Sequence, residues 1–401
     1  MTILPNYREF DGRHWETGTL RNALAYQGVK APHTGKPMSE ALLLGISGGI
    51  TVGYFTFEYK GYLPHLALLT RNTFDPMDTM LDRVPLPREV RQTTDATKGE
   101  VNLMDALESG RPAIVWADTF TLHDIPNDAY WAMFPVVVYG LENGTAYLAD
   151  RAACPIEIPA ERLSKARARV GKDKFRLMVL DTPDLSRLPT AVQKGIWQCI
   201  NLYTEAPPKG ARHNFGLAAL KHWAEMLTNI RNKQSWARFF APGERMWMAL
   251  AGTTVQPGAF GYINRGAGNS AERGMYADFL DEASVILQKP DLKQAADCFR
   301  RSEQLWAELA DKLLPDSVPT FKTAKELFIQ HRELYIERGA AVRPELRDIA
   351  QRLNGLQKEA EAKFPMTGVE ITTLREGLAE QIIRIHDAER AAVETMQAAM
   401  G

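Results

Sequence analysis

Gly12-Arg-His-Trp-Glu-Thr-Gly-Thr-Leu-Arg-Asn-Ala-Leu24 is the stretch on which the reading of this chain turns. A short polar run ends in an amphipathic helix with apolar positions Leu20, Ala23 and Leu24, and Tyr26 just beyond. Unpaired backbone N–H groups and the helix dipole at such an N-terminus favour a negatively charged group, a thiolate among them. The stretch holds no cysteine. Trp15 is the large aromatic residue just before the helix.

At 401 residues the chain exceeds one ordinary core, which predicts two or three domains. Lys plus Arg number 48 and Asp plus Glu 49, a formal charge of −1. That balance argues against a nucleic-acid partner. The opening Met1-Thr-Ile-Leu-Pro-Asn-Tyr-Arg8 lacks an apolar signal core, and no apolar run approaches membrane-spanning length. Cys154, Cys199 and Cys298 are widely spaced with no C-x-x-C pair. They read as reduced, buried thiols, so a cytoplasmic protein without structural zinc is expected.

Residues 1–182 mix short helices with β-rich segments. Ser39 caps a short apolar helix that runs into Ile46-Ser-Gly-Gly-Ile-Thr-Val-Gly-Tyr-Phe55. The glycines there predict a tight turn into a strand; a phosphate loop would need a Gly-Lys-Ser/Thr ending that is missing. Strands are expected at Thr51–Phe57, Leu66–Leu69, Ala113–Ala117, Phe134–Gly140, Thr145–Asp150 and Phe175–Leu180, with helices at Asn102–Ser109 and Glu161–Arg169. Asn143-Gly144 between two β-rich runs predicts a hairpin. Residues 183–401 turn helical, and Thr367-x-x-Glu370 is a capping box opening a last long helix. Its stripe Leu374, Leu378, Ile382, Ile385, Ala392 and Met396 is interrupted by Glu389, which favours a bundle helix over a coiled coil.

The opening stretch resembles the start of the butirosin-biosynthesis protein H family, whose pattern is His-Cys-x-Ser/Thr-x-x-Leu-Arg-Asn-Leu-Leu. Met38-Ser-Glu-Ala-Leu-Leu-Leu-Gly-Ile-Ser-Gly-Gly49, Ser109-Gly-Arg-Pro-Ala-Ile-Val-Trp-Ala-Asp118, Val136-Val-Val-Tyr-Gly140, Leu148-Ala-Asp150 and Glu161-Arg-Leu-Ser-Lys-Ala-Arg167 match in the same order. Asn214–Ala224 and Gly266–Leu280 resemble the helical domain that often follows. The resemblance implies an α+β, papain-like N-terminal domain plus an all-α C-terminal domain. It implies a Cys–His–Asp site that moves an aminoacyl group from a carrier-protein thioester onto an amine. Trp15 stands where the family has its cysteine, and Phe134 where it has its histidine; Asp150 keeps the carboxylate position.

Several residues remain as candidates. Thr17 is the nearest hydroxyl and could replace the nucleophile, although helix capping is the favoured reading for Thr17 and Thr19. Glu16 could be a general base or a dipole-stabilising first-turn acid. His14 could pair with Asp150 or Asp118 as an acid–base group. His123 and Asp124 sit in the loop before the Phe134 strand, where such a fold rims its cleft; ligand contact and a solvated loop tip are the two readings. Trp15 and Phe134 together suggest a filled, rebuilt pocket that would contact substrate through aromatic faces. Arg273 and Tyr276 follow the Gly/Asn-rich loop 261–270 and could bind a carboxylate or phosphate; the alternative is an inter-helix connection whose Arg273 pairs with a nearby acid. Trp197, Trp223, Trp236, Trp247 and Trp306 read as bundle core. No ligand spacing supports a metal and no pattern a cofactor.

The partners expected are therefore a small-molecule substrate or acyl thioester and a carrier protein, with no nucleic acid and no membrane; a homo-oligomer stays open. Three readings follow: an acyltransferase or amidase without a thiol, a catalytically silent accessory protein, and an acid–base enzyme with an aromatic pocket.

Overall fold

A computed structural model of the chain describes residues 2–125, 132–169, 171–205, 213–264 and 269–401. Its strands are β1 (Thr2–Ile3), β2 (Ile50–Phe57), β3 (His65–Arg71), β4 (Arg88–Arg91), β5 (Ala113–Asp118), β6 (Met133–Glu142), β7 (Thr145–Ala149), β8 (Ile156–Pro159) and β9 (Leu177–Leu180). The architecture is α+β, an antiparallel-sheet region plus a helical C-terminal region, as the sequence predicts. Two compact units are present. One comprises Met1–Leu43, Met77–Leu188 and Glu333–Arg343, the other Leu44–Pro76, Pro189–Arg332 and Pro344–Gly401. Both are discontinuous in sequence, so β2 and β3 belong with the helices, and a short segment near residue 335 belongs with the sheet.

The first unit is built on a sheet ordered β4-β9-β5-β6-β7-β8, with β1 also pairing β6. Every pairing is antiparallel. Buried Val115, Val136, Val137 and Val138, β-branched side chains suited to a strand covered on its faces, make its centre together with Leu177. Asn143 and Gly144 both take positive φ, 50° and 75°, the turn that their residue types favour, and so close the β6–β7 hairpin.

The helix Thr17–Tyr26 buries Leu20, Ala23 and Leu24 as its spacing predicts. Gly12 and Gly18 explain how the polar run doubles back over its first turn: a Cβ on Gly12 would lie 2.3 Å from the Gly18 oxygen. Asn22 Oδ1 fastens the fold-back by accepting from the Gly12 N–H at 2.9 Å. Thr19 Oγ1 donates to the Pro135 carbonyl at 3.1 Å, which ties this helix to β6.

Some elements depart from expectation. The helix expected at Asn102–Ser109 spans Ala96–Glu108, capped by Asp95. Gly99 hides its start from propensity, yet a Cβ there would strike the Phe175 ring at 2.7 Å. Phe175 itself takes φ 47° and precedes β9 instead of joining it. The helices Pro76–Arg83 and Thr119–His123 and the strands β4 and β8 carry too few periodic residues to be read in advance.

In the second unit Gly48 and Gly49 make the expected tight turn into β2, with φ 106° and 71°. Trp223, Trp236, Trp247 and Trp306 are core residues, while Trp197 is half-buried. The Thr367–Glu370 capping box forms and opens the helix Gly368–Met400. Among the described residues no helix is long and apolar enough to cross a membrane. Residues 126–131 and 265–268, parts of two stretches singled out above, lie outside the described residues.

Candidate functional site

The start of the helix Thr17–Tyr26 is organised by Glu40, a residue that sequence reasoning passed over. Its buried carboxylate accepts from the Arg13 N–H at 2.8 Å, the His14 N–H at 2.9 Å and the Thr17 hydroxyl at 2.7 Å. Thr17 therefore serves Glu40 instead of capping its own helix, and Thr19 serves Pro135. A carboxylate in front of a helix start suits the dipole. It fixes the loop that presents residue 15.

Trp15 is 8% exposed and stacks on Phe134 of β6, ring centroids 4.3 Å apart and planes 19° from parallel. His14 meets the same indole edge-on at 5.3 Å. Phe134 reaches this place because β6 pairs β5 in a register that sets Phe134 opposite Ala117. The two positions at which the resemblance implies a cysteine and a histidine thus touch, as two stacked rings.

Beside the stack lies a polar cluster. Asp150, directly after β7 and 6% exposed, places Oδ2 3.1 Å from His123 Nε2 and accepts from the Tyr335 hydroxyl at 2.6 Å. Arg151 donates to both Asp150 oxygens at 3.3 Å. The Arg151 guanidinium also lies 4.6 Å from the Trp15 ring and 5.1 Å from the Tyr335 ring, at cation–π distance from both. One run of contacts so joins Phe134, Trp15, Arg151, Asp150, Tyr335 and His123.

Local structure accounts for each position. Asp118 accepts from Thr121 N–H at 3.1 Å and Ala132 N–H at 2.9 Å; it caps the short helix that ends on His123. Asp118 is thereby a structural residue. The imidazole on Asp150 belongs to His123, whereas the sequence offered His14; His14 Nδ1 accepts from the Glu16 N–H at 3.3 Å. Glu16 immediately precedes the helix and makes no side-chain cap bond.

Tyr335 comes from the end of the helix Pro319–Arg338. There Ile336 O accepts from Ala153 N–H at 2.6 Å, and Gly339, at φ 53°, sits against Ala152, Cys154 and Ile156. The Gly-Ala-Ala run after Arg338 was the only sequence sign of this close approach.

Burial works against the charge on Asp150, but Arg151, then His123 and the Tyr335 bond, hold it well below the usual carboxylate range. Burial and the adjacent carboxylate push Tyr335 well above its ordinary value, so the phenol keeps its proton and donates it. In the tautomer that donates Nε2–H to Asp150, Nδ1 of His123 is the nitrogen with the free lone pair. Such a pair can accept a proton from a nucleophile and return it to a leaving group.

Arg273 and Tyr276 lie in the second unit, and both are fully buried. Arg273 Nε donates to Glu389 at 2.6 Å, and its other nitrogens donate to Tyr203 and the carbonyls of Thr51, Thr70 and Ala271. That commitment replaces the expected anion-binding role. The Tyr276 hydroxyl donates to Met396 Sδ at 3.4 Å. Cys199 is buried and pushed up to about 12 by burial. Cys154 and Cys298 are half-buried instead of buried, and burial raises Cys154 too. Asp124 pairs with Arg162 at 3.6 Å. Among the described residues no three His, Cys, Asp or Glu side chains converge on a metal position.

No curated protein matches the chain significantly. Residues 14–151, which hold Trp15, His123, Phe134, Asp150 and Arg151, match the family described as Butirosin biosynthesis protein H, N-terminal.

Proposed function

We propose that this chain is a biosynthetic acyl- or aminoacyl-transfer protein on a papain-like N-terminal domain that works without a thiol nucleophile. The observation that carries the reading is Asp150 holding the His123 imidazole at 3.1 Å beside the Trp15–Phe134 stack. The family's cysteine and histidine positions hold the two rings, while the imidazole comes from the short helix Thr119–His123.

Transfer on such a site is direct. An amine attacks the carbonyl carbon of an acyl thioester, His123 Nδ1 takes the amine proton, the C–S bond breaks, and the thiolate leaves with that proton. Asp150 stabilises the imidazolium between those steps. Trp15, Phe134 and the Arg151 guanidinium give the acyl substrate its apolar and cationic contacts. A carrier protein or another pantetheine thioester presents the acyl group. His14, Glu16 and Thr17 hold the loop in this account and do not exchange protons with substrate.

A second reading, a catalytically silent accessory protein of the same fold, is favoured by the closeness of the Trp15–Phe134 stack. Incubation with acyl-carrier-protein and acyl-CoA thioesters plus amine acceptors separates the two. Amide product with stoichiometric free thiol supports transfer. No turnover, together with ligand-induced thermal stabilisation, would place the chain among silent binders.

A further inference from the structure

Asp150 is served by residues from two distant parts of the chain, and only one of them falls within the family-matched stretch. We propose that Tyr335 is a positioning residue: its hydroxyl holds the Asp150 carboxylate, and through it the His123 imidazole, in the orientation that proton transfer requires. This rests on the reading of Asp150 and His123 as the proton-transfer pair.

The geometry is specific. Oδ2 of Asp150 receives the Tyr335 hydroxyl at 2.6 Å and His123 Nε2 at 3.1 Å, and the phenol oxygen lies 3.3 Å from that same Nε2. Arg151 takes the opposite oxygen through Nε at 3.3 Å. A carboxylate gripped from three sides cannot rotate about its Cβ–Cγ bond, so the imidazole it orients cannot swing either. The Tyr335 ring also stands edge-on to the His123 ring, 5.4 Å away at 87°. Its backbone is pinned by Ala153 N–H on Ile336 O and by Gly339, which admits the chain close to Cys154. Position and direction of the hydroxyl are both fixed.

Charge sharing gives the test its sign. A carboxylate oxygen that donates electron density to a phenol proton has less to offer an imidazolium. Removing the phenol proton strengthens the hold on protonated His123, and a better phenol donor weakens it. Among the described residues the charged and titratable groups around His123 are Asp150, Arg151 and Tyr335, with Asp124 next in sequence and Arg162 paired to it.

Side-chain nitrogen NMR of the full-length chain, with the His123 signal assigned by its loss in His123→Gln, reads both tautomer and titration. Tyr335→Phe is expected to raise the His123 midpoint by roughly half a pH unit. Should that variant fail to fold, 3-fluorotyrosine placed at position 335, a stronger donor, is expected to lower it. Midpoints within about 0.1 unit of wild type in every folded variant would overturn the proposal. Asp150→Asn, which removes the partner charge, must lower the midpoint; an unmoved midpoint there overturns the His123–Asp150 pairing and the proposal with it. Expected shifts in a protein that shows no thioester turnover would leave the positioning role standing and remove the transfer reading.

Discussion

Trp15 lies flat on Phe134, 4.3 Å between ring centroids and 19° between planes, one residue from a helix start and the other on the central strand β6. The contact joins the two positions at which the resemblance read from the sequence implies a cysteine and a histidine. An indole accepts no acyl group and a phenyl ring no proton. On that reading, restoring the residue types should restore the chemistry of the pair.

The double change Trp15→Cys with Phe134→His is expected to create a thiol alkylated faster than Cys154, Cys199 or Cys298. A helix N-terminus and a neighbouring imidazole both favour thiolate. Timed alkylation followed by peptide mass spectrometry reads the four sites separately. Reactivity at position 15 no greater than at Cys154 would mean that the nucleophile position lies elsewhere.

Glu40→Ala should destabilise the chain by about 2–3 kcal/mol, because two backbone N–H groups and the Thr17 hydroxyl lose one buried carboxylate. Glu40→Gln, which keeps an acceptor oxygen, should cost less. Urea midpoints compare the two; equal losses would show that volume rather than hydrogen bonding matters at this position.

Glu389 gathers Arg273, Tyr203, Ser302 and Trp306 in the second unit, with donor distances of 2.6 to 3.2 Å. Glu389→Ala leaves a fully buried guanidinium without its counter-charge and is expected to cost about 3–5 kcal/mol. A loss under 1 kcal/mol in chemical denaturation would show that Arg273 finds other compensation.

The same carboxylate gives stability an acid limb. Burial alone would lift Glu389, but Arg273 and the hydrogen bonds bring it below its usual value. A depressed carboxylate contributes stability that is fully present above its unfolded value, about 4.3, and is lost as pH falls through the folded value. Asp150 acts in the same direction. Stability measured from pH 7 downward should therefore decline below about pH 4.3, and less steeply in Glu389→Gln. Parallel acid limbs in the two proteins would contradict this assignment.

Local features were legible in the sequence. The capping box at Thr367, the Asn143-Gly144 turn, the apolar face of the first helix and the helical character after residue 188 follow from neighbours a few positions apart. Glu389, read only as a break in a stripe, is the buried partner of an arginine 116 positions away. His123 and Asp150 were both candidates, but nothing local pairs them across 27 residues, and Tyr335 meets Asp150 across 185. Contacts of that span are set by strand register and by how a segment returns to the sheet, which periodicity does not encode. Glu40 escaped notice for the same reason: in its own helix it is an ordinary first-turn acid.

The most direct test of the central claim is thioester aminolysis by wild type and His123→Gln, with intact-mass spectra taken during turnover. A general base of this kind contributes on the order of 10²–10⁴-fold. The account predicts a rate loss in that range for His123→Gln and no acyl adduct on the wild-type chain at any time. Unchanged turnover in His123→Gln, or an acyl group found covalently on the protein, would contradict it.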